Sequence, residues 1–99
     1  MFSIVDCTVL KDEVDFDVSA SINELLGSLE LECKIPQDRK VGFELLSNSK
    51  KNLAENRLYE SGDKVKIPLE KYQSDSFTLE VSDENGNAIT RYRIMRCFC

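Results

Sequence analysis

The sequence predicts an all-β protein, a single antiparallel sandwich of about seven strands. Three observations carry that prediction. Apolar and polar residues alternate with a period of two through most of the chain, as on a strand with one buried and one wet face. Turn residues interrupt the alternation roughly every 8–12 positions. Only residues 49–59 have any helical look, and they hold too few apolar residues at helical spacing.

The elements follow in order. Residues 2–10 form a less regular opening strand, with Val5, Cys7 and Val9 expected to face inward. In residues 13–22, Val14, Phe16, Val18, Ala20 and Ile22 alternate without a break against Glu13, Asp15, Asp17, Ser19 and Ser21. Residues 23–27 suit a short helical turn, with Leu25 and Leu26 expected to cap one end of the core. Leu29, Leu31, Cys33 and Ile35 then point inward until Pro36, which lacks a backbone donor, ends the ladder. Val41, Phe43 and Leu45 mark the next strand, and residues 49–59 read as a loop or short edge segment. After the Ser61-Gly62-Asp63 turn come Val65, Ile67 and Leu69, and then Phe77, Leu79 and Val81. Asn85-Gly86 is a strong hairpin signal, because both residues tolerate positive φ. It should join the Phe77 strand to a last strand in which Thr90, Tyr92 and Ile94 alternate with Arg91 and Arg93.

Seven such strands in 99 residues predict a β-sandwich of immunoglobulin-like or fibronectin III-like shape, in preference to a closed barrel. The chain has no tryptophan, so the central-Trp hallmark of antibody-type domains is missing. No repeat, linker or low-complexity segment divides it, and residues 1–99 are read as one domain.

Composition narrows the function classes. At 41% hydrophobic residues the chain has enough apolar surface to fold. Thirteen Lys+Arg against eighteen Asp+Glu leave a net charge of −5, which disfavours nucleic acid as a partner. The absence of histidine removes the commonest general base and metal ligand. No apolar run is long enough to cross a bilayer, so membrane insertion is not expected. No export signal is visible, and a cytoplasmic location is expected unless the chain is a piece of a secreted protein.

Four cysteines, Cys7, Cys33, Cys97 and Cys99, allow several readings. Cys7 and Cys33 fit strand patterns as small buried hydrophobes; a Cys7–Cys33 bridge is the competing idea and needs an oxidising compartment. Cys97 and Cys99 project to one side of an extended chain, where two thiolates suit a soft metal, yet no paired C-x2-C spacing occurs. A cysteine-based metal or redox protein is therefore carried as an alternative function, while the main reading assigns no metal and no cofactor.

The remaining candidates are surface features. Asp12, Glu13, Asp15 and Asp17 form an acidic run. With Glu30 and Glu32 on a neighbouring strand, the face would be strongly negative and suit a cation or a basic partner; solvation of an edge explains the same residues. Asp83, Asn85 and Asn87 resemble part of a calcium loop, but Gly86 arrives too early and no later glutamate follows, so a hairpin turn accounts for them. Arg91, Arg93 and Arg96 are placed on one face of the last strand, ready either for an acidic sugar or phosphate or for cross-strand pairing with acids such as Glu80. Tyr59 and Tyr72, in loop-like context, are the aromatic candidates for stacking on sugar rings. Tyr59, Tyr72, Arg91 and Arg93 thus make up the candidate ligand-binding set. No nucleophile stands beside a base in a recognisable motif, so no catalytic residue is assigned and the chain is read as not an enzyme.

Val41-Gly42-Phe43-Glu44-Leu45-Leu46, Leu58-Tyr59 and Phe77-Thr78-Leu79-Glu80-Val81-Ser82-Asp83-Glu84-Asn85-Gly86-Asn87 also carry a resemblance. Over residues 41–94 the pattern resembles small immunoglobulin-like accessory domains joined to bacterial glycosyltransferases, polysaccharide-biosynthesis enzymes and surface proteins. A tyrosine in the middle segment and a final V-x-D-x-x-G-N hairpin recur in these. The resemblance implies a non-catalytic module of a larger bacterial protein that positions or recruits, with a protein partner or the rest of its own chain as its contact. A carbohydrate-binding module is the first alternative.

Overall fold

The computed structural model describes residues 2–11, 16–47, 58–72 and 74–96. They form eight strands: β1 (Phe2–Val9), β2 (Asp17–Asn23), β3 (Ser28–Lys34), β4 (Val41–Ser47), β5 (Leu58–Tyr59), β6 (Lys64–Pro68), β7 (Ser76–Asp83) and β8 (Ala88–Arg96), with one 3-10 turn at Leu69–Lys71. All pairings are antiparallel. A five-stranded sheet runs β1-β8-β7-β4-β5, and a three-stranded sheet runs β2-β3-β6. The predicted all-β class stands, and the additional strand is the two-residue β5.

Alternation explains why the two sheets stack. Leu29, Leu31, Cys33 and Ile67 from the small sheet share one core with Val41, Phe43, Leu45, Phe77, Leu79, Val81 and Ile94 from the large one. In register, Leu45 faces Leu79, Phe43 faces Val81 and Phe77 faces Ile94, so apolar pairs repeat along the buried face. Each fully buried side chain of this size contributes about 1.5–3 kcal/mol relative to exposure.

The opening strand departs from its expected facing. A bulge between Ile4 and Asp6 shifts the register, so Phe2 and Ile4 reach the core and Val5 stands 51% exposed. Beyond the bulge Cys7 pairs with Tyr92 and Val9 with Thr90. They lie on the core side of the sheet, yet Cys7 is exposed and Val9 is 66% exposed. They stand on the edge strand of the larger sheet, where β1 has β8 on one side only and packs close to β2 of the smaller sheet.

The end of the core is closed differently from expectation. Asn23 Oδ1 accepts the amides of Leu25 (3.2 Å) and Leu26 (3.3 Å), which shapes the β2–β3 turn. Leu25 and Leu26 point outward, 97% and 61% exposed. Leu69 fills the position instead: β6 stops at Pro68, and the 3-10 turn docks by donating Leu69 N (3.1 Å) and Glu70 N (3.3 Å) to the Gly27 carbonyl. The Asn-Gly hairpin joins β7 to β8 as predicted, with Gly86 at φ 84. A register shift beside Ser82 leaves Ile89 buried.

Candidate functional site

The four candidate ligand residues do not share a face. Tyr59 lies opposite Val41 on the inner side of β5, its ring 5.3 Å from Phe43. Tyr72 follows the 3-10 turn and meets Phe77 edge-on at 6.4 Å. Both rings pack against the core. Arg91 and Arg93 project from the outer face of β8, so the sheet itself separates them from the tyrosines. Arg91 Nη2 donates to Glu80 Oε2 at 3.0 Å across the β7–β8 pair. Arg93 stands between Asp6 and Thr78 in register. Arg96 is not on their face: its guanidinium lies 4.5 Å over the Phe2 ring and contacts Asp75 (3.4 Å) and Glu70 (3.5 Å).

The acidic face is mixed rather than strongly negative. Across the small sheet Glu30 faces Lys66, Glu32 faces Lys64 and Asp17 faces Lys34; Asp12, Glu13 and Asp15 lie outside the described residues. In the last hairpin, Asp83 Oδ1 accepts the amides of Asn85 and Asn87, both at 2.9 Å, and Oδ2 accepts Asn87 Nδ2 at 3.3 Å. Burial pushes the Asp83 carboxyl up, but these bonds and nearby Lys11 outweigh it and hold the group below its ordinary value. No cluster of three or more metal-ligating side chains is found among the described residues.

Cys33 is buried, as expected. Burial first, then the charges of Asp63 and Glu32, push its thiol up to about 11, so it remains an uncharged hydrophobe. Cys7 is corrected: it is exposed, on the edge strand of the larger sheet beside Tyr92. Both are free thiols, and Cys97 and Cys99 lie outside the described residues.

A feature missed in the sequence is the outer edge of β2. Cys33 donates its amide to the Asp63 carbonyl (3.1 Å) and accepts the Gly62 amide (2.9 Å), so both its backbone groups face the β6 side. The Val18–Cys33 pair is therefore the non-hydrogen-bonded kind. By alternation, the backbone groups of Val18, Ala20 and Ile22 all turn away from β3. Tyr92 confirms the direction: its hydroxyl crosses from β8 to donate to the Val18 carbonyl at 3.1 Å. Burial, then neighbouring Cys7 and Asp17, raise the Tyr92 hydroxyl, which keeps its proton for that bond. Among the described residues no strand pairs with the far side of β2. The available signal was the uncharged run Val18-Ser19-Ala20-Ser21-Ile22, which carries none of the lysines or prolines that usually guard an edge.

No protein-family model matches this chain, and no curated protein or solved structure matches it.

Proposed function

We propose that this chain is a non-catalytic interaction domain that recruits a protein partner through one side of an immunoglobulin-like or fibronectin III-like sandwich. The strand order supports the finer fold: β2-β3-β6 and β8-β7-β4 follow the A-B-E and G-F-C order of that architecture, with β1 added beside the last strand. One observation carries the functional reading, an asymmetry between the two sides of the sandwich. On one side, β5 has only two residues and β6 bears Lys64, Lys66 and Pro68, devices that block pairing with another chain. On the other, β1 and β2 are eight and seven residues long with neither lysine nor proline, and β1 exposes Val5 and Val9. An unguarded edge is the surface that strand addition uses.

The narrower setting, attachment to a bacterial polysaccharide-biosynthesis enzyme or surface protein, is supported by the resemblance over residues 41–94 alone. Photo-crosslinking in the source cells tests the interaction reading. A benzophenone side chain at Ser19 or Ser21 should capture one discrete protein, and the same group at Lys64 or Lys66 should not. Equal capture from both sides, or none from either, would overturn the reading.

A further inference from the structure

Independently of the interaction reading, we infer that Asn85 is a self-modification site. It converts to aspartate or isoaspartate when the last hairpin opens, and the buried Asp83 carboxylate holds that reaction back in the folded chain. Asn85 and Gly86 are both exposed at the tip of the β7–β8 hairpin. A glycine after asparagine leaves the peptide nitrogen between them unshielded, because it has no Cβ. Among the described residues, nothing lies within 4 Å of where a Cβ would stand at Gly86.

The chemistry needs water alone. The Gly86 nitrogen gives up its proton and attacks Asn85 Cγ. A C–N bond forms, the Cγ–Nδ2 bond breaks and ammonia leaves, giving a cyclic imide. Water then opens the ring at either carbonyl carbon. Attack at Cγ yields an aspartate in the original chain; attack at the main-chain carbon yields an isoaspartate, with the backbone rerouted through Cβ. Amide and water are consumed, carboxylic acid and ammonia result, and nothing is oxidised or reduced.

The folded hairpin opposes the first step in three ways. Gly86 donates its N–H to the Asp83 carbonyl at 3.1 Å, which engages the proton that must leave. Asp83 Oδ1 accepts the amides of Asn85 and Asn87, both at 2.9 Å. Those bonds clamp the backbone on either side of Gly86 and restrict the rotation that ring closure requires. The attacking nitrogen is anionic, and a carboxylate that holds both neighbouring amides disfavours a second negative charge between them. Asp83 is thus a positioning residue for its neighbour, buried and 3% exposed.

Opening the hairpin removes all three restraints together, and turns of this kind belong to the least stable parts of a fold. An isoaspartate then lengthens the main chain of the turn, so the Gly86 and Asn87 amides cannot both return to Asp83. The new carboxylate also stands beside Asp83 and Glu84. A reversible opening becomes a lasting one. Asn23 and Asn87 are internal comparisons, because Glu24 and Ala88 follow them and each carries a Cβ.

The test incubates the full chain in neutral buffer, counts isoaspartate by enzymatic methylation and locates it by peptide mapping; circular dichroism checks that each variant is folded. Conversion at Asn85 should be at least tenfold faster in urea-unfolded chain than in folded protein, and Asn85→Gln should remove the signal. Folded Asp83→Ala should convert at least fivefold faster than the unaltered protein. Asp83→Asn, which keeps an acceptor oxygen without the charge, should fall between them. Should Asp83→Ala fail to fold, Asp83→Asn carries the test, with conversion at least twofold faster. The isoaspartate form, separated by ion exchange, should exchange its Asp83 amide faster than the unmodified chain. Equal rates in folded and unfolded protein, equal rates with and without the Asp83 carboxylate, or modification at Asn23 or Asn87 in place of Asn85 would each overturn the proposal.

Discussion

Arg39 and Glu84, 45 residues apart, form a forked ion pair that ties the β3–β4 loop to the last hairpin. Arg39 Nη2 and Nε donate to Glu84 Oε1 at 2.8 and 3.0 Å, and Nε also reaches Oε2 at 3.1 Å. Lys40 N donates to Oε2 at 3.0 Å. The guanidinium lies 4.5 Å over the Phe16 ring, so one side chain links three segments.

That pair predicts an acid-sensitive contribution to stability. The Arg39 hydrogen bonds, then the Lys40 amide, hold the Glu84 carboxyl below its ordinary 4.5. A group whose folded value is depressed stabilises above its unfolded value and loses that contribution as pH falls through the folded one. Urea midpoints should therefore drop below pH 4.5, and Glu84→Gln should flatten the drop. An unchanged pH profile in the variant would count against the pair.

The buried Asp83 carboxylate should matter more than its turn position implies. Asp83→Ala leaves the Asn85 and Asn87 amides without their acceptor, a cost of about 1–3 kcal/mol. Asp83→Asn keeps one acceptor oxygen and should lose less. Chemical denaturation of both variants at neutral pH checks the order.

Ser28 offers the opposite sign. Its hydroxyl is buried with no hydrogen-bond partner among the described residues, so Ser28→Ala should hold or raise stability, by up to about 1 kcal/mol, because an unsatisfied polar group is removed. A loss larger than this in thermal unfolding would contradict the assignment.

Core and surface leucines should separate cleanly. Leu79→Ala opens a cavity between two sheets, costing about 2–5 kcal/mol. Leu25→Ala, at an exposed turn, should stay within about 0.5 kcal/mol. Equal effects would mean that Leu25 caps the core after all.

The two described thiols should differ in rate. In a Cys97→Ser, Cys99→Ser background, an aromatic disulfide reagent should modify exposed Cys7 within seconds, and buried Cys33 only as fast as the chain opens. Matching rates in folded protein would place Cys33 at the surface.

Much of this fold was legible locally. A period of two marks strands, and Asn85-Gly86 marks a hairpin, because side-chain direction and positive φ are properties of a few adjacent residues. The same locality explains the misses. Val9 alternates correctly and even faces the core side, but alternation says which face a residue occupies and not whether another layer reaches it. Leu25 and Leu26 fit a cap as well as Leu69 does; the Gly27 carbonyl, which holds the 3-10 turn in place, decides between them. The candidate tyrosines and arginines were legible as types, but the sheet that divides them is a product of pairing between distant strands.

By itself, then, the amino-acid sequence determined where extended backbone begins, turns and ends, and which side chains seek burial. Tertiary structure decided how many strands each layer received and, through that count, which edge was left open. The reason is that local preferences act over a few residues, whereas sheet membership depends on hydrogen bonds between strands far apart in the chain, such as Val41 with Asp83 and Phe2 with Arg96.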